Sequence, residues 1–166
     1  MRSVISVLLE NESGALSRVV GLFAQRGYNI ESLTVSTTND KTLSRMTIVT
    51  KVDGQATLEQ MMKQLHKIVD VLRVSELTES AHVERELMLV KVRTPNNTIR
   101  QEVKLSNDVF RGQIVDMTPN LYTIELIGIG SKLDAFLQTI DNISEIVEVV
   151  RSGVCGISRG EKALRS

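Results

Sequence analysis

The same order of secondary-structure elements is predicted twice along the chain, and this repeat restricts the fold more than any other sequence feature. In the first copy, the β-branched and apolar run at residues 4–9 predicts a buried strand. Polar residues and Gly14 end that strand. The next apolar side chains recur at the spacing of an amphipathic helix: Leu16, Val19, Val20 and Phe23. Gly27 then marks the end of the helix, because glycine readily adopts the left-handed conformation found there.

The first copy continues with two strands, a helix and a strand. Residues 30–37 predict the second strand, and Met46 and Ile48 alternate with polar neighbours in the third. A second helical stripe follows the Asp53-Gly54 turn and consists of Leu58, Met61, Met62 and Leu65. Residues 71–77 complete the copy as its fourth strand. The predicted order is therefore βαββαβ.

The second copy follows a polar stretch and repeats this order. Its elements are predicted as a strand at 87–92, a helix at 99–110, strands at 113–117 and around 122–126, a helix, and a strand at 146–150. The second helix of this copy is predicted from the stripe of Leu133, Phe136, Leu137 and Ile140. The tail from Ser152 shows no clear period.

The repeat predicts an α+β fold made of two tandem ferredoxin-like βαββαβ domains. Each would be a four-stranded antiparallel sheet with two helices on one face. We place the first domain at residues 1–78, a linker at 79–83, and the second domain with its tail at 84–166. A domain of roughly 70–80 residues buries only about 60% of its unfolded surface, so we expect partner surfaces to add stability.

Composition excludes several classes of function. Lys+Arg and Asp+Glu are both 20, and aromatic residues are 3% of the chain, which argues against nucleic-acid binding. One cysteine and two histidines supply neither an internal disulfide nor a recognisable catalytic or metal motif, so we expect no catalytic residue, metal ligand or cofactor in this chain. No targeting segment or membrane span is visible, and a cytoplasmic location is expected.

The turn between the first strand and the first helix is the strongest candidate for a binding site. The free N–H groups and partial positive charge of a helix N-terminus suit a carboxylate, and Gly14 would allow close approach. The amides of Asn11 and Asn29 could accept from an ammonium group. With nearby aliphatic residues, this set suits an aliphatic α-amino acid. Alternatively, Gly14 only starts the helix, and the asparagines only satisfy local backbone groups.

Long sequence motifs add a family resemblance. The segments LENESGALSRV at 9–19 and RGYNIESLTV at 26–35 resemble the ACT domain of the small regulatory subunit of acetolactate synthase, also called acetohydroxyacid synthase. Further matching segments are LSRMTI at 43–48, KQLHK at 63–67, VERELML at 83–89, FRGQIVD at 110–116 and RG at 159–160. The resemblance therefore extends over essentially the whole chain.

The resemblance implies a regulatory subunit without a catalytic site. Two ACT domains would form a homodimer with valine bound at their interface. The effector would contact Asn11, Gly14, Ala15 and Leu16 of one chain, and Asn29 and Ile30 of the other. Ala15 stands where the family often has valine, which leaves the preference among valine, isoleucine and leucine open.

The resemblance also implies a catalytic partner. The C-terminal domain would contact a separate large catalytic subunit of acetolactate synthase that carries thiamine diphosphate, FAD and Mg²⁺. The small subunit would activate this enzyme early in branched-chain amino acid biosynthesis and make it sensitive to valine feedback. Two alternatives come from other classes of protein: a stand-alone amino-acid sensor or homo-oligomerisation module, and a small enzyme, which would need turnover by this chain alone.

Overall fold

The computed structural model describes residues 1–165 and divides into two compact units. The first unit contains Met1–Glu84 and the C-terminal segment from Val154, and the second contains Arg85–Gly153. Each unit contains one four-stranded sheet and two helices in βαββαβ order. The predicted α+β class with two ferredoxin-like sheets is confirmed.

The first unit has β2 and β4 at the edges of its sheet, in the order β2-β3-β1-β4. Its elements are β1 (Arg2–Glu10), α1 (Ala15–Arg26), β2 (Ile30–Thr37), β3 (Leu43–Lys51), α2 (Gln55–His66) and β4 (Val71–Glu76). The central strand β1 runs antiparallel to both neighbours, with Leu9 opposite Ser44 of β3. This order leaves the outer backbone edge of β2 unpaired within its sheet.

The helices cover one face of this sheet. Val19 and Phe23 of α1 pack with Leu58, Met61 and Leu65 of α2 against apolar side chains from the sheet. The sheet contributes Ile5, Val7, Leu9, Met46 and Ile48. The predicted stripe of α1 is only partly buried, since Leu16 and Val20 remain 41% and 37% exposed. They lie one turn apart on the same flank of the helix.

The C-terminal segment covers the opposite face of the first sheet. Val154 packs against Val4, Val49 and Leu77, and its backbone N–H donates to Ser32 Oγ at 2.8 Å. Thr34 Oγ1 donates to the carbonyl of Val154 at 2.9 Å. A side chain at Gly156 would lie 2.8 Å from Leu77 Cδ1, so glycine permits this close approach. The sequence pattern instead predicts this segment as part of the second domain at 84–166.

The second unit repeats the layered arrangement. Its elements are β5 (His82–Arg93), α3 (Asn97–Val109), β6 (Gln113–Met117), β7 (Leu121–Gly128), α4 (Gly130–Asp141) and β8 (Ile146–Ser158). The sheet order is β6-β7-β5-β8. Its core joins Met88, Val90, Val92, Tyr122, Ile124 and Leu126 of the sheet to Val103, Leu133, Phe136 and Ile140 of the helices. The strand predicted around 122–126 is thus buried on alternate residues.

Two strands extend beyond their predicted bounds. β5 begins at His82, inside the predicted linker at 79–83, and β8 continues to Ser158 instead of ending near Val150. The sequence does not predict either extension, because polar residues at the start of β5 and two glycines near the end of β8 interrupt the apolar alternation. The longest helix in the described part of the chain has 13 residues, and none could span a membrane.

Candidate functional site

An open cleft of about 290 Å³ lies where β1 leads into α1, beside the end of β2. Its lining consists of Leu9, Glu10, Asn11, Glu12, Ala15, Leu16, Val35, Ser36, Thr37 and Ser44. This volume is near the lower limit for small-molecule sites and therefore suits one small ligand. The cleft lies on the same connection that the sequence analysis selected.

The N-terminus of α1 supplies an anion-binding end to this cleft. Gly14 is the N-cap residue with φ 85° and ψ −7°, and no side chain caps the helix. The first-turn N–H groups have no acceptor within the helix, and the helix dipole adds partial positive charge there. Gly14 adopts the left-handed conformation in which glycine avoids the Cβ strain of other residues. A carboxylate is the complementary ligand group.

Arg18 and Asp70 hold the β1–α1 connection in place. Arg18 Nε donates to Asp70 Oδ2 at 2.6 Å, and its Nη2 donates to the carbonyl of Ser13 at 3.3 Å. The backbone of Asp70 also accepts from Glu10 N–H at 2.8 Å. The hydrogen bond from Arg18 lowers the pKa of the Asp70 carboxyl group, which keeps it ionised as a fixed acceptor.

Asn11 connects this loop to the turn between β2 and β3. Its Nδ2 donates to the carbonyl of Lys41 at 3.1 Å, and its Oδ1 accepts from Ser44 Oγ at 3.3 Å. Its backbone N–H donates to the carbonyl of Thr42 at 2.8 Å. An amide has two donor hydrogens and two acceptor lone pairs, so one of each remains for a ligand. Asn11 is therefore both a structural and a candidate binding residue.

Asn29 and Ile30 lie at the other end of β2 within the same chain. About seven residue steps of 3.3 Å separate Ile30 from Thr37, which gives a distance of about 23 Å. The carbonyl of Asn29 accepts from Thr50 Oγ1, and the Asn29 side chain is exposed. One chain alone therefore does not bring Asn29 and Ile30 to the cleft.

The structure brings together three of the six predicted site residues. Asn11, Ala15 and Leu16 line the cleft, Gly14 forms the adjoining helix cap, and Asn29 and Ile30 lie elsewhere in the protomer. The other lining residues were not predicted as site residues from the sequence: Leu9, Glu10, Glu12, Ser44 and residues 35–37. The hairpin turn near Asp40 could have indicated some of them, because antiparallel pairing places Thr37 opposite Ser44.

The lining is complementary to a zwitterion with an aliphatic side chain. The helix N-terminus attracts a carboxylate, whereas the carboxylates of Glu10 and Glu12 attract an ammonium group. Ala15, Leu16 and Val35 supply apolar contact. No group of three or more His, Cys, Asp and Glu residues could hold a metal ion within residues 1–165.

Comparisons with family models and with individual proteins all identify the same family. The family model for an AHAS small subunit-like ACT domain matches residues 5–73, and the one for the small subunit of acetolactate synthase matches residues 85–160. The acetolactate synthase isozyme 3 small subunit of Escherichia coli is 64% identical, with 99% of this chain and 100% of that protein covered. The acetolactate synthase small subunit of Haemophilus influenzae is 59% identical, with 98% of each covered.

A solved structure supports the same comparison. The crystal structure of the acetolactate synthase small subunit from Thermotoga maritima matches with a TM-score of 0.87 and 35% identity. The match covers 98% of this chain and 99% of that one.

Proposed function

The chain belongs to the family of acetolactate synthase small subunits, and from that premise we propose that it transmits valine feedback to a catalytic large subunit. It would activate that subunit, which would supply thiamine diphosphate, FAD and Mg²⁺ and act early in branched-chain amino acid biosynthesis in the cytoplasm. The observation that carries the proposal is the cleft at the N-terminus of α1. Its charges and apolar wall complement the carboxylate, ammonium group and side chain of valine.

A homodimer explains how Asn29 and Ile30 could join this cleft. β2 is an edge strand, and its outer backbone groups can pair with the same strand of a second chain. A two-fold axis makes that pairing antiparallel, so Ile30 of the partner subunit would lie beside Thr37 of the first chain. Asn29 of the partner subunit would then face the cleft about 23 Å from its counterpart.

Exposed apolar side chains around the cleft support this dimer. Leu16 and Val35 line the cleft while 41% and 39% exposed, and Val20 lies one turn beyond Leu16 on α1. A second chain on this side would bury these side chains and convert the open cleft into an enclosed site. Enclosure strengthens the hydrogen bonds to both charged ends of the ligand.

We assign the contact with the catalytic subunit to the second unit, Arg85–Gly153. The face of its sheet opposite the helices carries exposed apolar side chains, including Leu87, Leu89 and Ile127, which are 38%, 36% and 52% exposed. Such a patch is typical of a surface that is covered by another protein.

Reconstitution with the large subunit tests the proposal. The chain should raise large-subunit activity, and valine should reverse that activation. Asn29→Ala should raise the valine concentration for half-inhibition about tenfold or more, because a hydrogen bond to a charged group is lost. Activation should persist, since the Asn29 side chain makes no hydrogen bond within residues 1–165 of its own chain. Isoleucine and leucine titrations would measure the effector preference.

A matched control is Asn142→Ala, which changes an exposed asparagine in the second unit and should leave valine inhibition unchanged. A chain that binds valine but neither binds nor activates the large subunit would instead be a stand-alone sensor. Equal loss of inhibition in both variants would contradict the site.

A further inference from the structure

A second cleft of about 430 Å³ lies in the first unit, between β4 and the C-terminal segment. Arg45 and Lys162 supply two positive charges to its lining, and no acidic residue lines it. Ser75 and Ser158 add hydroxyl groups, and Leu77 and Ile157 add apolar surface. Because the whole chain has a formal net charge of +0, this local excess of positive charge is a specific feature of the cleft.

Arg45 has no acidic partner among residues 1–165. Its Nη2 donates to two neutral acceptors, Ser6 Oγ at 3.0 Å and the carbonyl of Gly156 at 2.9 Å. Its Nε is buried and has no hydrogen-bond acceptor in this part of the chain. Partial burial lowers the pKa of Arg45, as expected where a cation is desolvated without a nearby anion.

Two arginines elsewhere in this protein are paired with carboxylates. Arg18 reaches Asp70 at 2.6 Å, and Arg151 reaches Glu86 and Asp134 at 2.8 and 2.7 Å. A buried cation is costly unless an anion compensates it. Arg45 is therefore an unpaired cation in a cleft that Lys162 makes still more positive.

We propose that this cleft binds a small organic carboxylate with an aliphatic chain. The two cations would bind the carboxylate, and Leu77 and Ile157 would contact the chain. A free ammonium group on the ligand would be repelled, so an α-amino acid is disfavoured here. A phosphate dianion is also disfavoured, because its desolvation beside apolar side chains costs more than that of a monoanion.

The proposed site is distinct from the valine cleft. Its Arg45 projects on the face of β3 that the C-terminal segment covers, whereas the valine cleft opens at the N-terminus of α1. The C-terminal segment forms one wall, so ligand binding should change the environment of its backbone at Ser158 and Gly160. Those two amide groups are suitable reporters for a binding experiment.

Titration of the full chain with butyrate at constant ionic strength, followed by amide NMR, tests this inference. Saturable shifts are expected at Ser158 and Gly160. Lys162→Gln should weaken butyrate binding about tenfold, because one charged hydrogen-bond donor is removed. Lys162 is exposed in an irregular segment, so this change should leave the fold intact.

The matched control is Lys63→Gln, since Lys63 is exposed on α2, which packs on the other face of the sheet. It should bind butyrate like the unchanged chain, and butylammonium should give no saturable shift. Absence of butyrate shifts, or equal weakening by both variants, would overturn the site. Phosphate binding as tight as butyrate binding would overturn the preference for an aliphatic carboxylate.

Discussion

Gly14 and Arg18 determine together how the β1–α1 loop presents backbone N–H groups to the cleft. The positive φ of Gly14 directs the chain into α1 without a side-chain cap. The Arg18 guanidinium lies against Gly14, where an added Cβ would be 2.9 Å from Nη1. Since Asp70 holds Arg18 through Nε, the loop has little freedom to accommodate a larger residue.

Gly14→Ala should therefore reduce both stability and valine response. The left-handed conformation costs a non-glycine residue about 1–2 kcal/mol, and Arg18 must also move. Urea unfolding measures the first effect, and valine inhibition of the reconstituted enzyme measures the second. Gly21→Ala is a matched control in α1, because its Cβ meets no atom within 4 Å. We expect it to stabilise the protein by about 0.5–1 kcal/mol. Equal stability of the two variants would contradict the role of Gly14.

Secondary-structure elements with clear apolar periods could be predicted from the sequence, whereas those held by polar contacts could not. The stripe of Leu58, Met61 and Leu65 is buried as expected for α2. The end of β8 instead bonds to hydroxyl groups of Ser32 and Thr34, more than 100 residues earlier. No local pattern reports such a partner.

The candidate site, like the secondary structure, could be predicted only in part from the sequence. A helix N-terminus after a polar turn indicated the β1–α1 loop, and the family resemblance selected particular residues in it. Ser44 enters the cleft only through its register with Leu9 across two strands. That register depends on tertiary pairing, so the sequence alone did not place Ser44 near Asn11.

The start of β5 contains an ionic cluster that should make stability depend on pH. His82 Nδ1 lies 2.8 Å from the carbonyl of Ser80, and Nε2 lies 2.8 Å from Glu84 Oε2. Both ring nitrogens thus face acceptors, which suits the protonated imidazole. The Ser80 carbonyl, followed by the Glu84 carboxylate, raises the pKa of His82. Burial raises the pKa of Glu84, but hydrogen bonds from Arg2 and His82 outweigh that effect and lower it.

The sign of the pH dependence follows from these directions. The contribution of His82 is complete below its ordinary pKa of 6.5 and is lost as pH rises through its raised pKa. The contribution of Glu84 is present above its ordinary pKa of 4.5 and is lost as pH falls through its lowered value. His82→Gln should therefore reduce the fall in unfolding free energy that occurs as pH rises above about 6.5. An unchanged fall, measured by urea unfolding, would show that His82 is not its source.

At the scale of the whole molecule, a complete effector site is expected to require two chains. One protomer presents an open cleft with Asn11 at its edge, and Asn29 lies at the distant end of β2. Each small unit also leaves apolar surface exposed, including Val35 in the first and Ile127 in the second. Association would bury that surface and complete the site, so valine binding and assembly should be coupled.

Valine binding to mixed dimers tests this claim most directly. Isothermal titration calorimetry would compare Asn11→Ala homodimers, Asn29→Ala homodimers, and purified dimers with one chain of each kind. We expect greatly weakened binding to both homodimers. The mixed dimer should bind about one valine, because one of its two sites combines the Asn11 of the Asn29→Ala chain with the Asn29 of the Asn11→Ala chain. Mixed dimers that bind no better than the homodimers would contradict a site shared between chains.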